Sequence, residues 1–450
     1  MNIIIVGCGK VGASLAERLS AEGHDLVMVD ISAKKIEEVA NRFDIMGVVG
    51  NGASFAVQQE AGVENADLFI AVTAADELNL LCCLMAKKSG CATIARVRNP
   101  MYSQEIGFIR EQLGISMIIN PELTAAREIA KLLKFPSAIK IDTFAKGRVE
   151  LLRFRLKPEI GFGGKSIMEN MSHHNDVLIC AVERGNEVII PNGSFVLEDS
   201  DILSIVGSLE STARFFEKIG VRSKKVKNSL IIGGGTVAHY LAKDLLKVGF
   251  RVRIIERDQE RCNYLTEVLP EADIINGDGS DEGLLLEEGL TYADSVVSLT
   301  GMDEENIFLS LFAKKHSNAK LVAKVNKIAF NDVVESLDID SVIYPKYLTA
   351  DYILQYVRAR QNSIGSNVET LYQLFDGRAE ALEFAINEKS EVTYTPLMQL
   401  NLKPNLLICA INRKGKILTP RGQNMIKVGD TVIVVTTNRG LNDIRDILKD

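Results

Sequence analysis

The sequence contains no tryptophan, only five histidines, and seven cysteines among 450 residues. Histidine is the usual acid–base partner of a nicotinamide, so its scarcity counts against redox catalysis. His24 ends a helical segment, His173 and His174 adjoin in a polar stretch, His239 follows a glycine loop, and His316 ends another helical segment. None sits in a recognisable catalytic motif, and surface or capping roles are expected for each. No C-x-x-C pair is present, and no His/Cys/Asp cluster has metal-ligand spacing, so no metal site is expected. Cys82, Cys83 and Cys91 read as buried thiols of a reducing compartment. No G-K-[ST] phosphate loop is present, which removes support for NTP hydrolysis of that type. No apolar run approaches the ~20 residues of a membrane span, and the chain opens directly on a strand rather than a secretion signal. A soluble, cytoplasmic protein is expected. With 52 Lys and Arg against 59 Asp and Glu the net charge is −7. That leaves no basic footprint for nucleic acid and no general attraction to anionic lipid.

What is present begins at the N-terminus. Ile3-Ile4-Ile5-Val6 runs into Gly7-Cys8-Gly9-Lys10-Val11-Gly12, then a helical segment, then a second apolar run ending at Asp30. This is the pattern of a dinucleotide-binding β-α-β unit. The first glycine makes the turn, the second lets backbone approach a pyrophosphate, and the third lets helix and strand pack closely. The helix N-terminus offers free N–H groups to phosphate. Asp30 is placed to bind ribose hydroxyls and to repel a 2′-phosphate, favouring NAD(H) over NADP(H). Cys8 reads as a small residue in the loop, with a redox role as the alternative.

The unit occurs twice. Gly233-Gly234-Gly235-Thr236-Val237-Ala238 follows Gly7 by 226 positions, and Glu256 follows Asp30 by the same interval. Gly277-Asp278-Gly279 matches Gly50-Asn51-Gly52, and Thr300-Gly301-Met302-Asp303-Glu304-Glu305-Asn306 matches Thr73-Ala74-Ala75-Asp76-Glu77-Leu78-Asn79, both at 227. Leu407-Ile408-Cys409-Ala410 matches Leu178-Ile179-Cys180-Ala181 at 229. So steady a register indicates tandem duplication.

Each copy opens with six near-continuously apolar runs alternating with helical segments: Ile3–Val6, Asp25–Val29, Met46–Val49, Leu68–Val72, Thr93–Val97 and Met117–Ile119 in the first. That predicts a doubly wound parallel sheet. A helix over Glu122–Phe135, stopped by Pro136, follows with an apolar stripe. A small α+β module comes next, with strands at Glu150–Leu156, Val177–Glu183, Val188–Ile190 and Asp201–Val206. The second copy repeats this module from about Leu371. The basic stretch Arg222–Asn228 reads as a solvated linker between the copies.

Around the first loop, Lys10 can reach a phosphate, while Asn51, Gly52, Thr73, Ala74, Arg96 and Arg98 fall at strand ends where open α/β sheets bind ligands. Gly12, Asp278 and Thr300 complete the candidate set. The second loop has Thr236 for Lys10, Ala238 for the third glycine, Lys324 for Arg96 and Asn326 for Arg98, so weaker phosphate binding or an empty structural copy is open there.

This order of motifs, given twice and covering the whole chain, resembles the TrkA family, peripheral subunits of bacterial and archaeal Trk potassium-uptake systems built from regulator-of-potassium-conductance (RCK, or KTN) domains. The resemblance implies two Rossmann-like RCK N-terminal domains at 1–121 and 228–345, connecting helices at 122–140 and 346–365, and RCK C-terminal modules at 141–222 and 366–450. It implies a non-enzymatic, nucleotide-sensing regulatory subunit at the inner face of the cell membrane, docked on a potassium-translocating subunit of the TrkH/TrkG type. NAD(H), and in related domains ATP or ADP, is the implied input, and a ring of eight RCK units, here a homotetramer, the implied assembly. By resemblance, Gly7, Cys8, Gly9, Lys10, Val11, Asp30, Thr73, Ala74 and Arg98 contact the first nucleotide, and Gly233, Gly234, Gly235, Thr236, Val237 and Glu256 the second. The helix at 122–135 resembles the segment through which paired RCK domains exchange contacts. An NAD-dependent oxidoreductase with two cofactor domains, and a soluble nucleotide or redox sensor without a membrane partner, are the alternatives.

Overall fold

The computed structural model describes residues 1–102, 105–136, 138–144, 149–172, 177–220, 226–326, 334, 337, 339–362 and 368–449. His173, His174 and most of the basic stretch from Arg222 lie outside the described residues.

The first half opens with six parallel strands, Asn2–Val6, Asp25–Asp30, Met46–Val49, Leu68–Ala71, Ala92–Arg96 and Met117–Ile119, in the order 3-2-1-4-5-6. Helices cover both faces, so the central strands bury nearly every side chain, as at Ile3 to Val6 and Leu68 to Ala71. The second half repeats the order with Asn228–Ile232, Arg251–Glu256, Asp273–Asn276, Ser295–Ser298, Lys320–Lys324 and Ser341–Ile343. The fifth strand stops at Arg96, which leaves Arg98 in the loop beyond the sheet edge. The following helix spans Pro121–Lys134, one residue ahead of the sequence expectation. Pro121 suits a first helical position because it has no N–H to leave unpaired. Asn120 caps it by accepting from the Leu123 N–H at 2.9 Å.

The compact units are not the two sequential copies. Met1–Ala130 joins Lys227–Tyr352 in one unit, and Lys131–Val226 joins Ile353–Asp450 in the other. Like therefore packs with like. In the parallel-sheet unit, Asn120 Nδ2 donates to the Tyr240 hydroxyl at 3.0 Å, and that hydroxyl donates to the Arg98 carbonyl at 3.1 Å. Arg18 pairs with Asp351 and lies 4.8 Å over the Tyr347 ring.

The antiparallel unit holds two five-stranded sheets. The first comprises Lys140–Phe144, Val149–Arg155, Leu178–Arg184, Glu187–Ile189 and Ile202–Gly207, ordered 4-3-5-2-1. The second comprises Val368–Leu374, Ala379–Ala385, Leu406–Arg413, Lys416–Leu418 and Asp430–Thr436, in the same order read from the other edge. The strand Lys140–Phe144 was not expected from the sequence. Buried residues of both modules, Phe144, Leu151, Cys180 and Val206 with Phe375, Ala381, Cys409 and Ile433, form one shared core. A ladder shift leaves Cys180 as an extra bulged residue in one module and Cys409 in the other. Each module also carries a two-pronged ion pair: Arg184 on Asp201, both bonds 2.8 Å, and Arg413 on Asp430 at 2.8 and 2.7 Å.

Candidate functional site

Both glycine loops turn where the first strand ends. Gly7 has φ +107° and Gly233 φ +98°, a region that penalises any Cβ. Their N–H groups donate to the second strand, to Val29 O at 2.7 Å and Ile255 O at 2.8 Å. A Cβ at Gly12 would lie 1.8 Å from the Gly7 carbonyl oxygen, so helix and loop are in direct backbone contact there. The second loop has Ala238 at this position, fully buried. Both loops lead into twelve-residue helices, Lys10–Ala21 and Thr236–Lys247, that lack a side-chain cap. Their first N–H groups and positive dipole ends thus face outward at the sheet edge.

The acid at the end of the second strand latches the loop. Asp30 accepts from the Cys8 N–H at 2.7 Å through Oδ2 and from the Ser32 N–H at 2.9 Å through Oδ1. Glu256 does the same with Gly234 at 2.6 Å and Asp258 at 2.9 Å. A carboxylate offers about four lone-pair directions, so each acid retains acceptor capacity toward ribose hydroxyls. Burial, with help from Asp30, pushes the Cys8 thiol up to about 12. It is therefore a neutral space-filling group rather than a thiolate.

The neighbouring edge is built around a buried asparagine that sequence reasoning passed over. Asn79 Oδ1 accepts from the Thr73 N–H at 2.8 Å and hydroxyl at 2.7 Å, while its Nδ2 donates to Thr73 O at 3.2 Å and Arg96 O at 3.0 Å. Asn306 repeats the bonds to the Thr300 N–H, the Thr300 carbonyl and the Lys324 carbonyl, while the Thr300 hydroxyl donates to Met302 O at 3.2 Å. The signal was in the sequence, since this asparagine closes both copies of the repeated Thr-to-Asn motif. Arg96 supports the loop from below, donating to Thr73 O at 3.2 Å, and Arg98 donates to Ala74 O at 3.0 Å.

Three other candidates serve their own turns. Asn51 Oδ1 accepts from the Ala53 N–H at 3.0 Å, and a Cβ at Gly52 would meet Val6 Cγ1 at 2.3 Å. Asp278 accepts from the Ser280 N–H and hydroxyl, which holds its carboxyl below the usual range.

The two halves present these edges to each other. Burial pushes the Lys324 ammonium down; Asp303 and Glu122 oppose the shift and Lys10 adds to it. Lys346 is likewise lowered first by burial, with Lys10 again contributing. Lys10 of the first loop is thus within electrostatic reach of two lysines of the second half. Facing the second loop is a cleft of about 580 Å³, lined from the first half by residues that include Ala74, Asp76 and Arg98 and from the second by Thr236, Arg261 and Tyr264. Arg261 donates from Nε to Gly234 O at 2.7 Å, an anchor for which no sequence motif gave notice.

Sequence-family models match the chain at four places. The TrkA-N domain fits residues 3–121 and 229–345, and the TrkA-C domain fits residues 151–220 and 381–449. The chain belongs to the TrkA family. Relatives within TrkA extend end to end: "Trk system potassium uptake protein TrkA homolog 1" of Methanosarcina mazei is 33% identical over 100% of both chains. The TrkA of Haemophilus influenzae is 31% identical over 98% of this chain and 96% of its own. Among solved structures, the GsuK channel superposes with a TM-score of 0.66 at 19% identity, covering 97% of this chain and 77% of that one. The TrkA-N pair with its parallel sheets and the TrkA-C pair with its antiparallel sheets is thus a fold shared with a channel's RCK region. No helix among the described residues is long and apolar enough to cross a membrane.

Proposed function

We propose that the chain is the nucleotide-sensing regulatory subunit of a Trk-type potassium-uptake system, acting at the cytoplasmic face of the membrane on a potassium-translocating subunit of the TrkH/TrkG type. The observation that carries this reading is end-to-end relatedness: both TrkA-N loops and both TrkA-C modules are kept, and the relatives named as Trk potassium uptake proteins align over the full length of both chains.

NAD(H) suits the loops on chemistry visible in the fold. Gly9 has nothing within 4 Å of where a Cβ would stand, leaving room for a pyrophosphate against the backbone. Asp30 keeps acceptor capacity for the ribose hydroxyls and disfavours a 2′-phosphate. GsuK structures of the same fold include one bound to NAD and one bound to ADP, which makes ADP and ATP the alternative inputs. When bound, the nucleotide supplies charge and bridging contacts, not a reaction. His239, next to the second loop, is buried and stacked 5.9 Å from the Tyr264 ring. Burial and the nearby Arg261 and Lys243 drive its pKa down to about 4, so at neutral pH it is an uncharged packed group.

The signal is a population shift. A nucleotide touching both halves alters their arrangement only to the extent that it binds one arrangement more tightly. The proposed assembly is a homotetramer, and apolar side chains at matched positions, Leu81 at 48% and Phe308 at 69% exposure, are left at the surface where such contacts could use them. Reconstitution with the membrane subunit in potassium-loaded vesicles tests the function. Flux that changes on adding NADH, ADP or ATP is expected; flux indifferent to all three sinks the reading.

A further inference from the structure

The second glycine loop lacks the lysine that the first loop carries, yet the cleft in front of it holds two arginines. Arg261 rises from the helix Gln259–Val268 of the same half, is fixed by its Nε bond to Gly234 O at 2.7 Å, and lies 4.6 Å over the Tyr264 ring. Its Nη2 is buried and has no hydrogen-bond partner among the described residues. Arg98 comes from the other half, and its Nη2 donates to Ala74 O at 3.0 Å, a neutral acceptor. The acidic side chains of the cleft bind groups other than these guanidiniums, although Asp76 Oδ1 is buried without a hydrogen-bond partner among the described residues. Asp76 accepts from the Arg98 and Asn99 N–H groups at 3.0 and 2.8 Å, and Glu77 accepts from the Tyr102 hydroxyl at 2.7 Å. Neither guanidinium has a carboxylate partner among the described residues. A buried, unpaired guanidinium N–H is costly, and a fork of such donors matches phosphate oxygens.

We infer that the phosphates of a pyrophosphate-bearing nucleotide seated on the second glycine loop are held by Arg261 of that half and Arg98 of the other, so that the ligand bridges the halves. This rests on the proposed reading of the glycine loops as nucleotide sites and extends it. Arg261 takes the place that Thr236 leaves empty of charge, and the second loop is neither cation-poor nor merely structural. Occupancy there draws the strand-end loop that carries Arg98 toward the second half.

The full-length chain tests this by calorimetric titration with ADP and with NADH, in the wild type and in Asp30→Ala, which disables the first loop. Asp30→Ala is expected to keep one binding event. Adding Arg261→Gln or Arg98→Gln should weaken that event by about tenfold or more, with Arg261→Lys recovering part of the loss. Arg155→Gln, in the antiparallel unit, should leave it unchanged. Unfolding midpoints equal to that of Asp30→Ala show that the variants are folded. Binding by Asp30→Ala that survives both glutamine substitutions unchanged overturns the inference and leaves the nucleotide reading intact. Binding lost entirely in Asp30→Ala does the same. A wild-type chain that binds neither nucleotide overturns both.

Discussion

Asn79→Ala tests the architecture of the sheet edge. The side chain is fully buried and makes four hydrogen bonds, none to solvent. On truncation the Thr73 carbonyl keeps the Arg96 guanidinium, at 3.2 Å, and the Thr73 hydroxyl keeps its contact with Ala75 O at 3.3 Å. The Thr73 N–H loses Asn79 Oδ1 and the Arg96 carbonyl loses Asn79 Nδ2. Leaving a buried polar group unsatisfied costs about 1–3 kcal/mol each, so the two orphaned groups together cost about 2–6 kcal/mol. Urea unfolding followed by circular dichroism measures it. Asn79→Asp restores the acceptor for the Thr73 N–H but sets a carboxyl oxygen against the Arg96 carbonyl, so it should recover little. Asn306→Ala should cost at least as much, since it takes the same bonds from the Thr300 N–H and the Lys324 carbonyl, and Lys324 donates to Leu299 O rather than to Thr300 O. A loss below about 1 kcal/mol for Asn79→Ala would refute the view that this amide ties the strand-four loop to strand five.

Asp30→Ala removes both the latch on the Cys8 and Ser32 N–H groups and the proposed ribose acceptor; NADH affinity at the first loop should drop by about tenfold or more by calorimetry. Arg184→Ala leaves the Asp201 carboxylate, 1% exposed, without its two-pronged partner, and should lower stability by about 3 kcal/mol in urea. Arg184→Lys should restore only part, because an ammonium lacks the fork. His239 titrates near 4 in the folded chain and near 6.5 unfolded. The unfolded state therefore binds the extra proton between those values, and stability should fall by about 2–3 kcal/mol as pH drops through that window. His239→Phe should flatten that part of the pH–stability curve. All seven cysteines are buried, so the native chain should show no fast-reacting thiol toward an aromatic disulfide reagent, and seven after unfolding.

The parallel sheets were readable because a strand covered on both faces must be apolar at every position, and runs such as Ile3 to Val6 show it. The glycine loops were readable because a turn at φ near +100° and a helix touching backbone demand glycine at set intervals. Lys140–Phe144 escaped because its apolar Ile141 and Phe144 are separated by Asp142 and Thr143, without clean alternation, and it follows close on Pro136. Pairing of like halves escaped for a different reason. An interval of 226 residues shows duplication but not which surfaces meet. That depends on contacts such as Asn120 with Tyr240 and Arg18 with Asp351, separated by 120 and 333 positions. The same gap hid the cleft, because Arg98 and Arg261 share it only once the halves are together.

Packing of like with like inside one chain has an evolutionary consequence. Two separate single-copy chains meeting across the same surfaces would obey two-fold symmetry, and every residue of one ligand pocket would recur in the other. Fusion removes that constraint. It also holds the partners at high effective concentration, so the pair no longer depends on affinity alone. The chain is then free to carry lysine at position 10 and threonine at 236, or arginine at 98 and asparagine at 326. A gene duplication has thereby turned a symmetric object into one whose two glycine loops carry different side chains, so that under the proposed function the two sites are free to answer two metabolites, or one metabolite at two concentrations.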